Sequence, residues 1–324
     1  MAPPRIQPKA ISAAPAKPAD PLAGGLSPDF RSFLESNGYD VERFARDDIK
    51  GGSFGGRRTA GEKLTHQPVI FIHGNSDSAV GPAGLGGFRV PIEKYLAKGY
   101  QPSELYAFTW GNAKASRASF NYHSKQNVES VRQFIQAVLD YTGADKVDVV
   151  SHSMGVTLAR GAIKGGVHHD LLAGGKYDLG KPLTDKVDTF VGIAGGNEGL
   201  ASAVLAPMLP TASPLNGFYP GVPLTPLGPI VGRSRFLEEL DENPAREGQH
   251  VYSIWSPADE LAGMPVYGKP TSRIRGQDGE KVYSFREVRA LHQPGESKLI
   301  GNHLGLKSGT ADVVLEMIED HTVD

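Results

Sequence analysis

The sequence predicts an α/β protein built on a mostly parallel, doubly wound sheet. Three observations carry that prediction. Short, continuous apolar runs end in turn chemistry, as strands buried on both faces do. Helical stretches of 3.6-residue period lie between them. The alternation repeats through most of the 324 residues, which favours right-handed crossovers in one large domain over two small ones.

The elements follow in chain order. Residues 1–28 contain seven prolines among alanines and lysines and read as an extended tail outside the fold, which leaves 29–324 as the domain. Ser27-Pro28-Asp29 is a helix start, with Phe30, Phe33 and Leu34 at helical spacing and Gly38 as the stop. The glycine-rich stretch Gly51 to Arg58 lacks the lysine and Ser/Thr of a phosphate loop and opens no apolar helix. Strands are expected at Pro68 to Ile72, Leu105 to Trp110, Val147 to Val150 and Val187 to Ile193, with Asp148 and Asp188 each interrupting a run. Asp148 lies within its strand and reads as a partnered or edge carboxylate. Helices are expected over roughly 90–98 and 126–141, the second with Val128, Val131, Phe134, Ile135, Val138 and Leu139 on one face. Later strands are expected at His250–Trp255 and Lys281–Phe285, and a last helix near 309–320. Residues 199–235 interrupt the alternation: seven prolines between Pro207 and Pro229 exclude a regular central strand or a long helix, so this apolar segment reads as an insertion.

Composition narrows the functional classes. With 34 Lys+Arg against 36 Asp+Glu the formal charge is −2, so no overall field recruits nucleic acid or an anionic membrane. The absence of cysteine excludes a disulfide scaffold, a thiol nucleophile and thiolate metal sites. No run approaches the ~20 apolar residues of a membrane helix, so stable membrane insertion is not expected, and the N-terminus has no secretory h-region. His168-His169-Asp170 could ligate a metal, but after an apolar helix and two glycines it reads as a solvated loop. No metal or cofactor is called for.

The sharpest motif is Val147 to Val156, a valine-rich strand running through Ser151-His152-Ser153-Met154-Gly155 into a helical pattern. A serine held on so tight a strand-to-helix turn exposes its hydroxyl above the sheet, provided the residues two before and two after are small. Here these are Ser151 and Gly155. An ordinary βα turn with incidental serines is the competing reading. His73-Gly74-Asn75 ends the first strong strand, so the backbone N–H groups of Asn75 and Met154 are the candidate oxyanion donors, each worth about 3–4 kcal/mol of barrier. A serine nucleophile needs a histidine base and an acid to orient it, in the chain order Ser, acid, His. Asp259 sits just beyond the strand-like 250–255, where such sheets place their sites, with Glu260 and Asp241 as rivals. His303, between the last expected strand and the final helix, is read as a loop histidine able to reach the turn, with His292 as its rival.

These residues resemble the α/β-hydrolase superfamily, specifically class 2 lipases and the related extracellular poly(3-hydroxybutyrate) depolymerases. The resemblance covers roughly residues 66–320. It rests on Val69 to Asn75 with Ser76-Asp77, Phe120 to Ser124, Tyr141-Thr142-Gly143 leading into 147–150, Ser151 to Val156, and Gly195 to Leu200. It implies an α/β-hydrolase fold, a catalytic trio of Ser153, Asp259 and His303, oxyanion donors Asn75 and Met154, and secretion. It also matches Tyr122 to a polymer-holding aromatic, with a purely structural place in the core as the equal alternative. The expected activity is hydrolysis of lipid-like, water-insoluble esters or of an aliphatic polyester. The 199–235 segment, through Phe218 and Tyr219 among others, is expected to cap the substrate, or alternatively to pack on the sheet as a structural loop. A non-catalytic binding module on the same scaffold is the remaining alternative.

Overall fold

The computed structural model describes residues 20–81, 85–225 and 228–323. Its main sheet contains β1 (Ser53–Phe54), β2 (Val69–Ile72), β3 (Leu105–Phe108) and β4 (Val147–His152). A hairpin of β5 (Val167–Asp170) and β6 (Gly175–Asp178) precedes β7 (Val187–Ile193), and a second hairpin pairs β8 (Val222–Pro223) with β9 (Ile230–Val231). The main sheet closes with β10 (His250–Trp255) and β11 (Gly279–Val282). Its order is β1-β3-β2-β4-β7-β10-β11, parallel throughout except for antiparallel β1 at one edge. This is the doubly wound sheet that the alternation predicts.

The helices are α1 (Pro28–Ser36), α2 (Val41–Ala45), α3 (Arg89–Ala97), α4 (Lys125–Thr142) and α5 (Met154–Lys164), followed by α6 (Arg235–Glu242), α7 (Phe285–Ala290), α8 (Gly301–Gly309) and α9 (Ala311–Glu319). Central strands feed two apolar cores by simple alternation. In β2, Ile70 and Ile72 join the core under α1, α4 and α5, while Val69 and Phe71 join the core under α3 and α9. Local chemistry sets the helix ends. Ser27 Oγ accepts from Phe30 N and Ser124 Oγ from Asn127 N, and left-handed Gly143 ends α4.

Several expectations change. The supposed tail lies largely outside the described residues, but its part from 20 onward is packed: Leu22 and Leu26 are buried, and Leu26 bridges to Gly55. The strand expected at 281–285 lies at 279–282, because Ser284 and Glu287 form a capping box that starts α7. The final helix lies at Ala311–Glu319, close to its expected place, but a further helix, α8, precedes it across Thr310, and His303 lies on that helix, not on a loop. His168-His169-Asp170 is strand β5 with His168 and Asp170 buried. Asp170 accepts from the backbone N–H groups of Lys125, Leu172 and Ala173, and His169 meets Glu239 at 2.6 Å. Asp148 is partnered, accepting from Thr189 N at 3.0 Å, and burial pushes its carboxyl up to about 7. Among the described residues no helix is long and apolar enough to cross a membrane.

Candidate active site

The site is built at the carboxyl ends of β2, β4 and β10. Ser153 stands between β4 and α5 with φ 55° and ψ −127°, a strained backbone for a non-glycine residue. Its N–H donates to Ile193 O at 2.8 Å, which pins the turn to β7. The small flanks have a geometric cause. A Cβ on Gly155 would lie 2.4 Å from both Ile72 O and His73 O, and these are backbone atoms that cannot turn aside. Gly155→Ala is therefore expected to cost roughly 1–3 kcal/mol, read as a drop of several degrees in thermal midpoint together with lost activity. An unchanged midpoint would contradict this packing.

The loop after β2 lies directly on the turn: a Cβ on Gly74 would be 2.8 Å from Ser153 Cβ. Its geometry is held from several sides. His73 is buried and neutral, because burial pulls its pKa down to about 4. Its Nδ1–H donates to Gly74 O and its Nε2 accepts from Trp110 N, with the two rings stacked 5.1 Å apart. Asn75 donates Nδ2–H to Ala118 O and receives Asn121 Nδ2–H at 2.6 Å on its own Oδ1. The side chain is thus occupied while the backbone N–H of Asn75 has no partner among the described residues. The same holds for Met154 N–H, as expected at the first position of a helix.

His303 is buried on α8, and its Nδ1–H donates to Asp259, at 2.8 Å to Oδ2 and 3.0 Å to Oδ1. Asp259 is fixed in turn by the N–H groups of Leu261 and Ala262. Burial raises its pKa, but His303 and those N–H groups outweigh it, and the carboxyl ends below its ordinary value. His152, which precedes Ser153, has its ring centroid 4.5 Å from that of His303 and donates Nε2–H to His303 O at 3.1 Å. Burial, aided by His303 and Lys307, keeps His152 neutral. Ser153 Oγ and His303 Nε2 are not hydrogen-bonded to each other, and neither has another hydrogen-bond partner among the described residues. Such contacts often close only when substrate arrives.

The rival residues fall elsewhere. Asp241 pairs with Arg233 at 2.6 Å, His292 bonds Asn302 Oδ1 through Nε2, and Glu260 grips backbone N–H groups of α8. Of the expected substrate-contacting residues, Phe218 is corrected: it is 5% exposed and packs edge-on to the His123 ring in the core, and its ring fills space that a Cβ on Gly196 would occupy. Tyr219 and Tyr122 are half-buried, and Tyr122 faces Asp170. Tyr122 lines an open cleft of about 840 Å³ with Trp110, Phe120 and Asp170; Ser153 does not line it.

Sequence reasoning also missed His123. Burial pulls its pKa down to about 3, so the ring is neutral; Nδ1–H donates to Asn216 O and Nε2 accepts from the Thr157 hydroxyl. It thereby joins α5 to the 199–235 segment. Nothing in the sequence beyond its place in Phe120 to Ser124 marks this role.

Residues 66–299 match the family of lipases of class 2. The chain belongs to that family. Among solved structures, Aspergillus fumigatus lipase B aligns over 83% of this chain with 16% identity and a TM-score of 0.52, which shows the shared fold. This class 2 family member spans 56% of the length of that lipase. Bacillus licheniformis lipase BlEst2 in mature form (14% identity, 79% of this chain and 95% of that one, TM-score 0.46) and Paleococcus ferrophilus monoacylglycerol lipase (14%, 83% and 98%, 0.45) are more distant in shape.

Proposed function

We propose that the protein hydrolyses carboxylic esters of lipid-like or aliphatic polyester substrates through an acyl-enzyme. The observation that carries this is the strained Ser153 turn beside a buried Asp259–His303 pair. Ser153 Oγ attacks the ester carbonyl while His303 Nε2 takes its proton, and Asp259 keeps the other ring nitrogen protonated. The N–H groups of Asn75 and Met154 stabilise the oxyanion. The same proton then goes to the leaving alcohol, and water, activated by His303, releases the acid. No step in this scheme calls on a metal or cofactor.

Exposed apolar side chains support a water-insoluble substrate. Leu205 (83% exposed) and Met208 (77%) project from the 199–235 segment, Met264 follows Asp259, and Leu299 precedes His303. The lipase names of its structural relatives agree with this reading, and secretion belongs to the same proposal.

The test is a panel of p-nitrophenyl butyrate, emulsified triglyceride and poly(3-hydroxybutyrate) film, run on wild type beside Ser153→Ala. Triglyceride turnover that disappears in the variant supports a lipase. Release of 3-hydroxybutyrate with negligible triglyceride turnover makes the protein a polyester depolymerase. Wild type inert on all three would leave a binding module on a hydrolase scaffold.

A further inference from the structure

His303 owes its position to more than its ring. Asp259 and Glu260 are consecutive, on a turn closed by Asp259 N to Ser256 O and Gly263 N to Asp259 O. The two carboxylates point to the same residue from different sides. Asp259 accepts from the ring, whereas Glu260 accepts from the backbone, with Oε1 3.0 Å from Asn302 N and Oε2 3.0 Å from His303 N. Both N–H groups belong to the first turn of α8, where no intrahelical acceptor exists for them. A third grip completes the arrangement: Asn302 Nδ2–H donates to Ala258 O at 2.7 Å, and Asn302 Oδ1 is held by His292 Nε2 at 2.8 Å. A Cβ on Gly301 would lie 2.9 Å from the His292 ring, so α8 can approach that ring only because position 301 is bare.

We propose that Glu260 is a positioning residue for the base, fixing the backbone of His303 as Asp259 fixes its ring, with His292 and Asn302 as the outer brace. This rests on the reading of His303 as the general base. Glu260 itself is exposed and touches neither the ring nor a reacting atom. Its effect is therefore expected in the geometry of the base.

Glu260→Ala and Glu260→Gln are compared with wild type and with Ser284→Ala, a helix-cap variant on α7 away from the site. The readouts are kcat and KM on p-nitrophenyl butyrate and the thermal midpoint. Glu260→Ala is expected to lower kcat roughly tenfold with KM within about twofold. Glu260→Gln, which retains an acceptor oxygen, should lose less kcat than Glu260→Ala, again with KM within about twofold. The inference is overturned if both Glu260 variants keep wild-type kcat, or if their losses only follow the midpoint as they do for Ser284→Ala. Wild-type protein that hydrolyses no ester and takes up no fluorophosphonate would defeat the ester-hydrolase reading itself, a result distinct from either.

Discussion

Ser153→Ala is expected to lower kcat on p-nitrophenyl butyrate by roughly 10⁴–10⁶ while leaving the thermal midpoint within a few degrees of wild type. The hydroxyl caps no helix N–H and makes no hydrogen bond among the described residues, so its removal costs little structure. The strain at φ 55° is borne by the backbone and remains in the variant. His303→Ala should be comparably inactive but less stable, because it leaves Asp259 buried without its ring partner. His292→Ala should retain far more activity than His303→Ala. If His292→Ala were the dead variant instead, the base would be wrongly assigned.

Lys307→Met is expected to be the most destabilising of the substitutions considered, at about 3–5 kcal/mol. Lys307 lies one helical turn after His303, and its buried Nζ donates to Asp77 Oδ2 at 2.7 Å and to Leu85 O at 2.6 Å. The Asp77 Oδ1 accepts from Ser78 N and Gly87 N. The pair ties α8 to the loop that carries Asn75, so the loss should reach activity as well as stability. The pH dependence follows from the same groups. Burial pushes Asp77 up, but Lys307 outweighs it, so the folded wild-type carboxyl lies below its ordinary value. That contribution is present above the unfolded pKa and is lost as pH falls through the folded one. Without Lys307, burial is opposed only by the weaker remaining partners, the N–H groups of Ser78 and Gly87 among them, so the folded pKa rises and the carboxyl takes up a proton at higher pH than in wild type. The deficit of Lys307→Met should thus be smaller at pH 5 than at pH 8, measured by urea unfolding with Lys94→Met as an exposed control. Equal deficits for the two lysine variants would remove the pair from the account.

The sheet was legible because strands buried on both faces have no polar alternative. Val69–Ile72 and Val187–Ile193 end in the structure where their apolar runs end in the chain. The turn at Ser153 was legible because its steric demand falls on two neighbours, and Gly155 could be read directly. Helix α8 was not. Gly301, Gly305 and Gly309 weaken the helical pattern, yet they form the face that admits His292 and Leu291 at contact distance. A close tertiary approach overrode local propensity there, and His303 was mistaken for a loop residue. Phe218 was misjudged for a related reason: aromatic character in a proline-rich insertion says nothing of which way the ring turns. The holding roles of Asn121, Lys307 and Glu260, the last weighed only as a rival acid, escaped notice because a side chain that holds a distant backbone group or loop leaves no spacing signature in the sequence.

The most direct measurement is covalent labelling with a fluorophosphonate followed by peptide mass spectrometry. The account predicts one adduct, on the peptide containing Ser153, absent in Ser153→Ala and formed far more slowly in His303→Ala. An adduct on a different residue, or ester hydrolysis that survives undiminished in Ser153→Ala, would contradict it.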